Sequence, residues 1–164
     1  MTAINSNRAI RGPVTAVPVV AGKGVRLVAD TVNNRIVAEA DETVLWTNST
    51  NAMSKDMTWP QLLSESINNF EKVQFWFAAD TGNFSQPKAF EFIVGDNAKY
   101  SMSEERYEST NVRYFREAQF QINGTSLTNP YNLTLNWTGA SISGSNNNGY
   151  NTLYKVVGIN RIQG

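Results

Sequence analysis

Between Val20 and Trp46 two runs rich in β-branched residues, VAGKGVRLVADTV and RIVAEADETVLW, flank Asn33-Asn34. Asparagine tolerates the positive φ of a two-residue hairpin turn, so the pattern predicts a β-hairpin with Asn33-Asn34 as its loop. In that register Thr31 faces Ile36, Ala29 faces Ala38, Leu27 faces Ala40 and Arg26 faces Asp41. One face is apolar but thin: Leu27, Ala29, Ile36, Ala38 and Ala40. Alanines bury little surface on a thick core, and a lone hairpin is marginal in water. The hairpin is therefore expected to pack on the rest of its chain or on copies of itself.

Upstream, Pro13 and Pro18 remove backbone donors and bias their neighbours to extended geometry, which excludes a helix there. The segment reads as a tail or as an arm that docks on a larger assembly, with Arg8 and Arg11 as candidate anchors. Downstream, Thr47 to Met57 is polar and reads as a loop. Thr58-Trp59-Pro60 reads as a helix start with Pro60 in the first helical position, Leu62, Leu63 and Ile67 on one face, and Asn68-Asn69 as the stop.

From Phe70 short alternating runs are separated by turn residues, the pattern of an antiparallel sandwich. Val73, Phe75 and Phe77 share a face, as do Phe90, Phe92 and Val94. Turns are expected at residues 80–83 and at Gly95-Asp96-Asn97. Tyr114 to Ile122 alternates up to Asn123-Gly124, a strong hairpin signal. Tyr131, Leu133, Leu135 and Trp137 then share a face, with Asn132, Thr134 and Asn136 opposite, and Leu153 to Ile162 is the last strand. The expected fold is all-β: an N-terminal extended arm and β-hairpin stem over 1–46, a connector with one short helix over 47–69, and an antiparallel β-sandwich or jelly-roll-like head over 70–164.

Composition narrows the chemistry. Net charge is zero, from 14 basic and 14 acidic residues scattered together, so nucleic acid is not an expected partner. No run is apolar enough to cross a bilayer. Cysteine and histidine are both absent, which removes thiolate metal sites, cysteine nucleophiles and Ser-His-Asp triads. Asparagine supplies about one residue in eight and clusters at expected turns.

The hairpin's order of GKG, VRLV, an asparagine turn and a returning strand resembles the stem segments of bacteriophage head-fibre and tail-fibre proteins, and the strand-turn units of trimeric viral fibre shafts. The run L-S-E-S-x-x-N-F-E-K-V at Leu63 to Val73 and the closing Y-K-V-V-G-I-N at Tyr154 to Asn160 resemble phage adhesin heads. The resemblance implies a structural virion protein, a homotrimer docked by its arm on a capsid or tail protein, with its head toward the host surface and a surface glycan as the outside partner. The alternative is a free-standing carbohydrate-binding module.

Glu104, Glu105, Glu108 and Glu117 are the densest supply of carboxylates, but adjacent strand residues point to opposite faces and the run from Ser101 to Thr110 reads as a solvated loop, so no enzyme is expected. Asp80, Asn83, Asp96 and Asn97 offer calcium-type oxygens, yet turn chemistry accounts for all four, and neither metal nor cofactor is expected. Gly22 and Gly24 precede a strand rather than a helix and read as backbone necessities. Trp137 reads as core. Trp76 lies on the outer side of its strand, as a sugar platform or a subunit contact. The loop from Ser141 to Asn151 is Gly/Asn/Ser-rich, and Asn146, Asn147, Asn148 and Tyr150 are its candidate recognition residues.

Overall fold

The computed structural model describes residues 25–79, 86–146 and 151–162. Arg8, Arg11, Asn147, Asn148, Tyr150, Asp80 and Asn83 lie outside them. The described chain is all-β, with eleven strands: β1 (Val25–Asp30), β2 (Arg35–Ala40), β3 (Glu42–Thr47), β4 (Gln61–Leu62), β5 (Phe70–Ala78), β6 (Lys88–Ile93), β7 (Lys99–Ser109), β8 (Val112–Asn123), β9 (Ser126–Thr138), β10 (Ser141–Asn146) and β11 (Thr152–Arg161). They form three antiparallel sheets: β1-β2 alone, β3-β11-β5-β6, and β10-β9-β8-β7 with β4 added on β9.

The two larger sheets face each other across an aromatic core. Phe75 on β5 stacks on Phe120 of β8 with centroids 6.0 Å apart and lies 5.2 Å from Tyr100 of β7, while Phe77 meets Phe120 edge-on. Each such pair adds roughly 0.5–1.5 kcal/mol beyond area burial. The alternation expected around Val73, Phe75 and Phe77 holds, since all three are fully buried. Phe90, Phe92 and Val94 pack against the same core. That core also takes Leu45 from β3, and Leu63 and Ile67 from the connector, so head packing begins well upstream of Phe70.

The β1-β2 hairpin forms, with a different register. Leu27 faces Ala38, Ala29 faces Ile36 and Arg26 faces Glu39. Asp30 causes this: its carboxylate accepts from the Asn33 backbone N–H at 3.2 Å, from Asn33 Nδ2 at 2.8 Å and from Arg35 Nε at 2.8 Å. Those bonds close a four-residue turn, Thr31 to Asn34, with Asn34 at φ 50°. The shift is two residues, so each side chain keeps its face.

Three further expectations are corrected. The helix at Pro60 does not form. Trp59 Nε1 donates to the Ser54 carbonyl at 2.9 Å and its ring packs 5.9 Å from Phe120, which holds the segment extended into β4. Leu63 is then buried while Leu62 is 74% exposed. Within the span of the expected helix a single 3-10 turn, Ile67–Asn69, forms, capped by the Ser66 hydroxyl, and a second lies upstream at Ser54–Asp56. The polar run from Ser101 to Thr110 is mostly strand, inside β7, because Tyr100 and Met102 anchor it in the core and the cross-strand partner of Glu104 is Arg116.

The third correction is a bulge in β9. Pairing with β8 slips by one residue between Gln119 and Gln121. Asn129 Nδ2 donates to the Gln119 carbonyl at 3.0 Å and Asn129 accepts from Asn132, which stabilises the irregularity. One extra residue exchanges the two faces. Leu127 before the bulge is buried, but beyond it the inner residues are Asn132 and Thr134, while Leu133, Leu135 and Trp137 face outward with Phe115.

Candidate functional site

Two surfaces take up the residues singled out from sequence, and the first is the stem. Leu27, Ala29, Ile36 and Ala38 share one face of the β1-β2 hairpin, and Ala40 pairs with Val25 in the same row pattern. Ala29 and Ala38 are exposed and Ile36 is 62% exposed. Neither strand pairs with any strand of the other two sheets. Ala29, Ile36 and Ala38 of the apolar face therefore stand open to solvent within the described chain, while Leu27 is half-buried.

The second surface is the outer face of the long sheet, where strands β7 to β10 run out to their turns. Cross-strand pairing puts Tyr107, Arg113, Trp137 and Ile142 in one row over four strands. The neighbouring row is Glu105, Phe115, Leu135 and Gly144. At Gly144 a Cβ would come 2.6 Å from Leu135 Cδ2, so glycine there lets the leucine lie flat across the sheet. The β7-β8 and β9-β10 turns are tied together by the Gly139 N–H, which donates to the Asn111 carbonyl at 2.9 Å. Between them lies an open cleft of about 400 Å3 lined by Glu105, Thr110, Asn111, Arg113, Trp137 and Gly139. The Arg113 guanidinium sits 4.6 Å from the Tyr107 ring centre and 3.8 Å from the Glu105 carboxylate.

Trp137 is thus a lining residue of this cleft rather than a core residue, and the bulge is the reason. The alternation Tyr131-Leu133-Leu135-Trp137 locates it on the correct side of its own strand segment. Only the slip upstream decides which side is the core. The signal that could have found it is Pro130 beside Asn129, since proline in a paired strand marks an edge or a bulge.

Trp76 does lie on the outer side of β5. Its Nε1 donates to Gln74 at 2.8 Å, and Lys155 Nζ stands 4.5 Å over the ring, so the lysine already occupies the exposed ring face. Asn146 ends β10, and Asn151 just before β11 is buried and donates to Asn132 Oδ1 at 2.8 Å. The candidate recognition residues Asn147, Asn148 and Tyr150 lie between these points in the chain, outside the described residues.

The carboxylates separate as strand geometry requires. Glu104 points inward, accepts from the Ala79 N–H at 3.0 Å and pairs with Lys88, while Arg116 donates to the Ala79 carbonyl. Together they clamp the chain at Ala79, just past the end of β5, through the N–H and the carbonyl on either side of one residue. Glu105 points outward to the cleft. Asn97 accepts from Gln121 Nε2 through both its carbonyl and its side chain, and with φ 51° it is a turn residue. Among the described residues no group of three or more acidic side chains is placed to hold a metal ion. Glu65 is held well below the usual carboxylate range, at about 2, by a two-pronged hydrogen bond from Arg161 at 2.6 and 2.7 Å and a further one from Asn69.

No protein-family model matches the chain, and no curated protein sequence matches it.

Proposed function

We propose that this protein is a structural component of a bacteriophage virion, a head-fibre or tail-fibre appendage that assembles as a homotrimer through its β1-β2 stem and presents its β-sandwich head to the host surface. The observation that carries the reading is the uncovered stem. A two-stranded hairpin with a thin apolar face is marginal alone, and Ile36 at 62% exposure has no cover within the described chain. Three copies packed about an axis bury Leu27, Ala29, Ile36 and Ala38 against one another, and the small alanines let the backbones approach closely. The arm upstream, with Arg8 and Arg11, is the segment assigned to docking on a capsid or tail protein.

Light scattering on the purified chain at micromolar concentration tests the reading. A trimer is expected, and Leu27→Asp is expected to release monomers with an intact head. A monomeric unmutated chain overturns it. The cleft around Trp137 favours a second reading, a free-standing carbohydrate-binding module, which is monomeric and keeps its binding when residues 1–40 are removed.

A further inference from the structure

The cleft between the β7-β8 and β9-β10 turns combines groups that recognise one kind of ligand. Trp137 is a partly exposed indole outside the aromatic core. Around it stand a guanidinium, a carboxylate, the Asn111 amide and the Thr110 hydroxyl. A planar donor, a planar acceptor and an amide that does both together suit adjacent hydroxyls, and an aromatic face suits the C–H face of a sugar ring. The volume, about 400 Å3, falls at the small end of the roughly 300–1,000 Å3 of small-molecule sites.

Electrostatics narrows the class of sugar. Arg113 is about half exposed and lies 3.8 Å from a Glu105 that is also about half exposed. The pair carries no net charge, and a carboxylate or phosphate brought to Arg113 also meets Glu105. The Arg113 guanidinium is further held in place by stacking on Tyr107. A charge-balanced, braced pair beside an indole is built for neutral hydroxyls.

We propose that this cleft binds a neutral pyranose unit of a surface glycan, with Trp137 stacked on the ring and Arg113, Glu105 and Asn111 hydrogen-bonded to its hydroxyls. The inference rests on the head being the end that meets the host. Because the cleft belongs wholly to β7–β10 and their turns, one chain forms it complete. Each site is open and weak, so adsorption strength comes from several copies acting together.

The test is titration of the full-length chain, labelled at its four tryptophan indoles, with maltose, cellobiose, lactose and methyl α-mannoside, read by the indole N–H resonances. At least one of these neutral sugars is expected to shift the Trp137 resonance saturably, with Kd in the millimolar range, and leave those of Trp46 and Trp59 in place. Binding read from the sugar side by saturation transfer is abolished in Trp137→Ala, Arg113→Ala weakens the Trp137 response about tenfold, and digalacturonic acid binds more weakly than the best neutral sugar. The unshifted Trp59 resonance reports that each variant is folded, and Asn111→Ala repeats the test without touching an apolar residue. No Trp137 shift with any neutral sugar overturns the proposal, as does saturation transfer to the sugar that survives both Trp137→Ala and Arg113→Ala. Sugar-independent broadening of Trp137 that grows with protein concentration assigns the face to a second copy instead, and also overturns it. The titration reads the same in monomer or trimer, so its failure leaves the stem reading intact and a monomeric chain leaves the cleft reading intact.

Discussion

Among the described glycines, Gly158 on β11 is the one where an added methyl meets the most rigid surroundings. A Cβ there would lie 2.6 Å from Cδ2 and Cγ of Phe70 and 2.7 Å from Cδ1, far inside van der Waals contact. The ring has little freedom to retreat, because Phe70 is 1% exposed and the Arg161 guanidinium covers it at 4.7 Å. Nor can the strand easily move, since β11 is hydrogen-bonded to β3 on one side and β5 on the other. Overpacking of a well-filled core costs roughly 1–3 kcal/mol, and a central strand belongs at the upper end. For a chain of 164 residues that corresponds to a fall in Tm of roughly 5–10 °C for Gly158→Ala. Thermal unfolding followed by calorimetry measures it. Phe70→Leu should cost stability alone, yet restore part of the loss in the Gly158→Ala background, because the smaller side chain vacates the methyl's space. A Tm for Gly158→Ala within about 1 °C of the unmutated protein, or losses that simply add in the double variant, would refute the steric argument.

Further outcomes are expected elsewhere. Removal of residues 1–40 should leave a head that melts cooperatively, whereas removal through Met57 also takes away β3 and the buried Leu45 and should give a molten fragment with little near-ultraviolet circular dichroism. Glu65, ordinarily near 4.5 and held at about 2 in the folded chain, contributes stability that is fully present above pH 4.5 and lost as the pH falls from there toward 2. Glu65→Gln should flatten that part of the stability-pH curve and cost only about 1 kcal/mol or less at pH 7, since both partners are partly solvated; urea melts across pH 2–7 check both statements. Buried Asn48 donates to the Ala52 and Leu153 carbonyls and accepts from the Ala52 N–H, so Asn48→Ala should cost roughly 2–4 kcal/mol by urea unfolding.

Local pattern was enough for the all-β class, for the faces of β5 and β6, and for both faces of the stem hairpin, because in each case the side-chain period of two is uninterrupted between neighbouring turns. The Asn123-Gly124 signal likewise marked the β8-β9 hairpin, although Asn123 pairs with Ser126 and Gly124-Thr125 form the loop. The stem register turns on a local group, the Asp30 carboxylate, but elsewhere a partner distant in the chain overrides the local pattern. Glu104 looks solvated until the Ala79 backbone and Lys88 arrive to accept its burial. Pro60 looks like a helix start until Trp59 is drawn onto Phe120. The cleft depends most on tertiary structure. Alternation in β9 puts Leu133, Leu135 and Trp137 on one side, but a slip of a single residue, stabilised by Asn129 reaching the Gln119 carbonyl on the neighbouring strand, turns that side away from the core. Periodicity says which residues share a face, and only the pairing of strands says which face is buried.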